Sequence, residues 1–137
     1  MGPHSDNYDD YNNYSVVIKA TCGNNSFMFT GDAEKLAENE MLDYTLDLSA
    51  DVLKVGHHGS TTSSGMSFLD AVSPKYAVIS CGKQNDYGHP HKETMQELSR
   101  RGITIYRTDE LSSVIAYSDK ENITFTYVNT DKTVTTA

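Results

Sequence analysis

Apolar positions along this chain change rhythm several times, and each change marks an element. Tyr14 to Ala20 alternates and is rich in β-branched residues, Gly23-Asn24-Asn25 is a hairpin turn, and Ser26 to Thr30 is the returning strand, so an antiparallel pair is predicted. From Ala33 the period lengthens: Leu36, Ala37, Met41 and Leu42 recur at helical spacing with Glu34, Glu38 and Glu40 between them, which predicts a helix of about ten residues starting at Asp32. Leu46 and Leu48 lead into a strand at Asp51 to Val55. Met66 to Val72 reads as a short helix carrying Phe68 and Leu69, stopped by Ser73-Pro74. Tyr76 to Ser80 is continuously apolar, as a central strand would be, and Lys92 to Arg101 is a helix with Met95 and Leu98 facing inward and Gly102 as its cap. Ile103 to Tyr106, Ser113 to Ser118 and Asn122 to Val128 complete the strands, the last two forming a hairpin across Asp119-Lys120-Glu121, while Arg107-Thr108-Asp109 reads as a turn.

The flanks lack this periodicity. Residues 1–13 are polar turn formers and read as a flexible lead-in whose opening Met1 to Ser5 could be non-native; residues 14–129 form one domain, and the Thr-rich 130–137 reads as a disordered tail. A chain of 137 residues suits a single domain. Its formal net charge of −8 excludes a protein that holds nucleic acid on a broad basic surface. Cys22 and Cys81 are too few for a disulfide scaffold and read as small core residues. No run approaches the roughly 18 apolar residues of a membrane span and the N-terminus is polar, so neither an anchor nor a signal peptide is expected and no membrane contact from this chain itself.

The chemistry gathers where apolar runs end. Phe27-Met28-Phe29-Thr30-Gly31-Asp32 and Val52-Leu53-Lys54-Val55-Gly56-His57-His58 share one design, a strand that stops at Gly and is followed at once by a metal-competent side chain. Asp32 carries two local readings, ligand and helix N-cap. His57 and His58, if extended, would point to opposite sides, so at most one would bind a given metal directly while the other would face a substrate or support the ligands from behind. A third cluster, Asn85-Asp86-Tyr87-Gly88-His89-Pro90-His91, holds His89 between Gly and Pro in a loop, whereas His91 reads as the first residue of the following helix.

Those segments carry a family resemblance. Asn13 to Val17, Phe29 to Glu34, Ala50 to Ser60, Asn85 to His91 and Tyr106 to Asp109 resemble, in order and spacing, the metallo-β-lactamase-like domain of ComEC-type competence proteins, over residues from about 12 to about 118. The resemblance implies an α/β fold, half of an αββα metallo-β-lactamase sandwich with a mixed β-sheet and about three helices packed on one face. It implies a metal-dependent phosphodiesterase or nuclease related to DNA uptake, with a two-metal site of zinc or manganese. Asp32 matches the bridging aspartate, His57 is favoured over His58 as the metal-ligand histidine, and His58 and His89 are the candidates for contact with the phosphoryl oxygens. The family is membrane-associated, with this domain facing outward.

One departure matters. The family's His-x-(His/Asp)-x-Asp-His motif belongs to the N-terminal half of the domain and has no counterpart here. Two-metal hydrolysis requires both ions, about 3.5–4 Å apart, and Asp32 with one histidine cannot hold two. The expectation is therefore an incomplete catalyst that acts transiently on nucleic acid or another phosphodiester, needs the missing N-terminal half as partner, and exposes an apolar sheet face prone to homo-oligomer formation. The alternative is a non-catalytic structural or interaction domain on the same scaffold.

Overall fold

The computed structural model describes residues 1–44, 46–128 and 134–136. Its elements in chain order are β1 (Ile18–Cys22), β2 (Asn25–Phe29), α1 (Lys35–Asp43), β3 (Val52–Lys54), α2 (Met66–Val72), β4 (Tyr76–Ile79), α3 (Lys92–Arg100), β5 (Thr104–Arg107), α4 (Thr108–Leu111), β6 (Ser113–Ser118), β7 (Ile123–Val128) and β8 (Val134–Thr136). The first five strands form one sheet in sequence order, with β1–β2 antiparallel and β2 to β5 parallel; β6, β7 and β8 form a second, antiparallel sheet. This is the mixed α/β half-sandwich that the periodicity and the resemblance predict.

The strands alternate between two cores, as a pleated sheet requires. Met28, Leu53, Val55, Ala77 and Ile79 face Ala37 and Met41 of α1, Phe68, Leu69 and Val72 of α2 and Leu98 of α3. Three helices thus cover one face, each lying in the crossover between neighbouring parallel strands. On the other face Val52 and Tyr106 meet Phe125 of β7, with Phe27, Tyr76, Val78, Val114 and Ala116 packed around them; Tyr106 stacks on Phe125 at 4.1 Å. The second sheet therefore covers part of the face expected to lie bare. The remainder is open: a cleft of about 220 Å³ lies between Phe27, Phe29, Val52, Val78, Val114 and Ala116, Phe29 is 46% exposed, and Ile18 and Val16 beside it are exposed too.

Several local expectations change. The α1 cap is not Asp32. Helix 1 begins at Lys35, its N-cap Glu34 makes no side-chain cap bond, and the buried Asn13 supplies the missing acceptor, its Oδ1 taking the N–H groups of Glu34 and Ala37 at 3.3 Å each. A residue far away in sequence thus does what the first-turn orphan donors demand. Instead of a turn, Arg107 ends β5 and caps α4, which Thr108 and Asp109 open. Cys22 is exposed at the hairpin end, while the half-buried Cys81 packs against the helical core. The lead-in lies on α1: Tyr8 is buried and donates its hydroxyl to Glu40, His4 stacks on Tyr44, and the N-terminal ammonium donates to Val17 O at 2.8 Å. Of the tail, Val134–Thr136 pairs with β7 and 129–133 and 137 lie outside the described residues.

Glu38 sits where α1 meets the loop before α2. It is 1% exposed, and its carboxylate accepts the backbone N–H groups of Ser64 at 2.6 Å and Gly65 at 2.8 Å. Burial outweighs those two donors and Lys35, and its pKa is pushed up to about 7. A folded-state pKa above the ordinary carboxylate value means that the folded protein takes up a proton more readily than the unfolded chain. Stability is thus fullest below the unfolded value, falls as pH rises toward 7, and levels off above it. Between pH 4.5 and 7.5 the expected loss is on the order of 2–3 kcal/mol, read from urea midpoints; in Glu38→Gln that slope flattens, and an unchanged slope would assign the pH dependence elsewhere. The open apolar strip yields a second expectation. At high concentration light scattering gives a mass above the monomer, and Ile18→Lys with Phe29→Lys restores the monomer; a wild-type monomer at every concentration would show that the strip drives no association.

Candidate metal centre

Parallel register levels the strand ends. Phe29 pairs with Lys54 and Lys54 with Val78, so the segments after β2, β3 and β4 leave the sheet along one edge, and Asp32, His57, His58 and Cys81 arrive together. Gly31 turns the chain at φ +56°, and an added Cβ would press on Ser15 at 3.0 Å. Ser15 Oγ there accepts the Asp32 N–H at 3.0 Å. Lys54, mostly buried, donates to Gly31 O at 2.8 Å and stands 3.9 Å from Asp32 Oδ1. Burial lowers its pKa while Asp32 opposes that shift. The turn that presents Asp32 is therefore held from both sides.

Neither histidine of the pair lies in an extended strand end. β3 stops at Lys54, and Gly56–Gly59 is a 3-10 turn in which His57 (φ 45°, ψ 47°) and His58 (φ 56°, ψ 22°) are left-handed. Such backbone is costly for non-glycine residues and is sustained here by its surroundings. The rings consequently do not diverge: their centroids are 6.2 Å apart, and both lie near His89, at 5.5 Å from His57 and 6.4 Å from His58.

Hydrogen bonds fix which nitrogen each ring offers. Ser80 O lies 2.6 Å from His58 Nδ1, and a carbonyl can only accept, so Nδ1 carries the hydrogen. With Nδ1 so engaged, Nε2 is the nitrogen that faces Asp32 Oδ1, 3.5 Å away, and in the neutral ring it would present a lone pair there. Two facing lone pairs repel unless a proton or a metal cation is shared between them. His57 is anchored in the same sense. Its Nδ1 meets Glu34 Oε1 at 3.2 Å and Thr62 Oγ1 at 3.1 Å, and Thr62 donates to that same carboxylate oxygen at 2.7 Å. Nδ1 held by a carbonyl or a carboxylate with Nε2 left free is the usual second-shell arrangement of a metal-ligating histidine.

His89 and His91 separate in role. His91 accepts the Thr61 N–H at Nδ1 (3.0 Å) and reaches Tyr87 O from Nε2 (3.3 Å), so both its nitrogens are consumed in tying the loop down. Gly59, at φ +85°, lets the loop close on the turn, since a Cβ there would meet Pro90 at 2.6 Å. His89 keeps its ring nitrogens free of protein partners among the described residues. Burial, then the neighbouring His91, His57 and His58, hold its pKa below the ordinary value against Asp32. Beside it, Cys81 is pushed up to about 11 by burial and by Asp109, to which its thiol donates at 3.2 Å. It therefore offers no thiolate at neutral pH. Arg107 grips Asp109 through two bonds of 3.0 and 2.6 Å, so the Arg107-Thr108-Asp109 segment braces the floor of the site.

The structure thus brings Asp32, His57, His58 and His89 to one edge, with His58 the nearer of the pair to Asp32. Their donor chemistry, carboxylate oxygen and imidazole nitrogen, is of the kind that divalent metal ions take. Their number completes no shell, because among the described residues no group of three or more His, Cys, Asp or Glu is disposed to hold an ion. Residue patterns had left out Glu34, Thr62, Ser80 and Lys54. Glu34 and Lys54 had a signal, their places inside the Phe29 to Glu34 and Ala50 to Ser60 segments; Thr62 and Ser80 act through a hydroxyl and a carbonyl that no spacing reveals.

Known proteins share sequence with this chain. The family model for the metallo-beta-lactamase superfamily matches residues 7–83. ComE operon protein 3 of Bacillus subtilis (strain 168) is 41% identical over 123 residues, covering 90% of this chain and 16% of that protein. Competence protein ComA of Neisseria gonorrhoeae is 41% identical over 104 residues, 75% of this chain and 15% of its own length. Recombination protein 2 of Haemophilus influenzae is 41% identical over 108 residues, 79% of this chain and 14% of its own length. The chain therefore spans only a small part of these relatives. It belongs to the metallo-beta-lactamase superfamily, as a domain half of the ComEC competence type.

Proposed function

We propose that this hydrolase-fold domain supplies half of a metal-dependent phosphodiester-cleaving site serving DNA uptake, and that it is inactive without the other half. The observation that carries the reading is the pairing of Asp32 Oδ1 with His58 Nε2 at 3.5 Å while Ser80 O occupies His58 Nδ1, an arrangement suited to a cation between them. Asp32 and one histidine of the pair His57–His58 would hold a zinc or manganese ion, with the remaining ligands coming from an N-terminal half. Bound there, the ion would supply Lewis-acid chemistry and lower the pKa of water.

This chain's own residues do the rest. Lys54 and Ser15 aim Asp32. Glu34 and Thr62 orient His57, and Ser80 orients His58. His89, whose ring nitrogens have no protein partner among the described residues and whose pKa is depressed, would in its neutral form donate a hydrogen bond to a phosphoryl oxygen. The relatives' names, competence and recombination proteins, support DNA as the polymer, and a net charge of −8 suits brief contact at the site over lasting retention. A family that is membrane-associated elsewhere would provide the rest of the apparatus; among the described residues no helix is long and apolar enough to cross a membrane. A second reading, a non-catalytic interaction domain, draws support from the incomplete donor set.

Calorimetric titration of metal-stripped protein separates the two. The expected result is micromolar binding of zinc or manganese, about −8 kcal/mol, abolished in Asp32→Ala and weakened roughly tenfold or more in His58→Ala. The chain alone should leave a generic phosphodiester uncleaved, and adding the N-terminal half in trans should restore turnover. Absence of binding, or binding indifferent to Asp32, would favour the interaction domain, and turnover by the chain alone would refute its incompleteness.

A further inference from the structure

Tyr87 is 78% exposed at the rim of the histidine cluster, and the cluster as described gives it no task. Exposure of an aromatic ring on a loop often reflects a loose loop, but this one is braced. Asn85 donates from Nδ2 to Gly82 O at 2.9 Å and to His89 O at 2.6 Å, and its Oδ1 accepts the His89 N–H at 2.9 Å. His91 Nε2 holds the Tyr87 carbonyl itself. The ring is therefore presented to solvent by a fixed backbone.

Its orientation is specific as well. Tyr87 lies 5.7 Å from His89 at an interplanar angle of 20°, and His89 lies 6.4 Å from His58 at 21°. Three flat rings run nearly parallel from the Asp32 site to the surface, and the outermost face is bare. Beneath it His58, Cys81, Gly82, Asn85, Tyr87 and His89 line a cleft of about 210 Å³. That is smaller than the roughly 300–1,000 Å³ of sites that enclose a drug-sized ligand, and it suits one flat heterocycle.

We propose that Tyr87 is a stacking platform for a nucleobase of single-stranded nucleic acid, selecting such a strand over a small phosphodiester. The inference rests on the phosphodiester reading of the histidine site. An acidic domain cannot hold a polyanion by surface charge, so affinity has to come from a contact indifferent to charge, and base stacking on an aromatic ring contributes about 1–3 kcal/mol per base without demanding a particular sequence. Bases paired in a duplex do not offer a free face, which makes the unpaired strand the ligand.

The test is fluorescence anisotropy in zinc, with a labelled short oligothymidylate, an abasic oligomer of equal phosphate count, and a duplex. The single strand is expected to bind roughly tenfold more tightly than the abasic oligomer. Tyr87→Ala and Tyr87→Leu erase that preference, and Tyr87→Phe keeps it. Asp32→Ala lowers binding of both oligomers. If single-stranded and abasic oligomers bind equally in a zinc-dependent way, stacking on Tyr87 is refuted and the phosphodiester reading stands. If neither oligomer binds in zinc, the phosphodiester reading falls and this inference with it. A duplex bound as tightly as the single strand would also overturn it.

Discussion

The register of the parallel ladder is the constraint on which the rest of this structure depends. Phe29, Lys54 and Val78 lie side by side across β2, β3 and β4, and a parallel sheet fixes that alignment through evenly spaced backbone hydrogen bonds. A slip of one residue in β3 would turn Leu53 and Val55 out of the helical core and carry the His57–His58 turn away from Asp32. The two cores enforce the register, because Met28, Leu53 and Ala77 are fully buried toward the helices while Phe27, Val52 and Tyr76 face the second sheet. The site is thus a by-product of strand pairing that both faces of the sheet stabilise.

Release of Asp32 from local duty depends on a different element. A helix leaves orphan donors at its start, and the nearest carboxylate is their natural acceptor. Here the buried Asn13 side chain takes the N–H groups of Glu34 and Ala37, and Thr62 O takes that of Lys35. With the helix satisfied from elsewhere, Asp32 faces Lys54 and His58. The lead-in is thereby joined to the chemistry: Asn13 and Ser15 both belong to the stretch before β1, and both set the geometry around Asp32.

Charge is distributed to the same end. The domain is acidic overall, yet four of its five histidines converge on one edge within a few ångströms of one another, beside the mostly buried Lys54. Fixed cations at this edge are therefore local and few. His89 is kept below its ordinary pKa by burial and by its fellow histidines, so the edge accumulates hydrogen-bonding capacity more than fixed positive charge. The covered part of the opposite sheet face, under β6 and β7, stabilises the half-sandwich, and the open strip along Phe29 and Ile18 marks where the covering stops.

Periodicity alone determined most of the elements. The β1–β2 hairpin, α2 at its full extent, α3 with its glycine stop, and the β6–β7 hairpin follow from apolar spacing and turn residues, since the periodicity that marks each one lies within its own segment. The strand-Gly-ligand pattern likewise pointed to Asp32, His57 and His58, and the Gly88-His89-Pro90 loop to His89. Tertiary structure decided what those residues do to one another. It set a left-handed turn where an extended pair was expected, brought both histidines to one side, put His58 nearest Asp32, and enlisted Asn13, Ser15, Lys54, Glu34, Thr62 and Ser80 around them. Backbone conformation at a strand end and the partner of a side-chain nitrogen both depend on atoms many residues away, and no local pattern encodes contacts of that range.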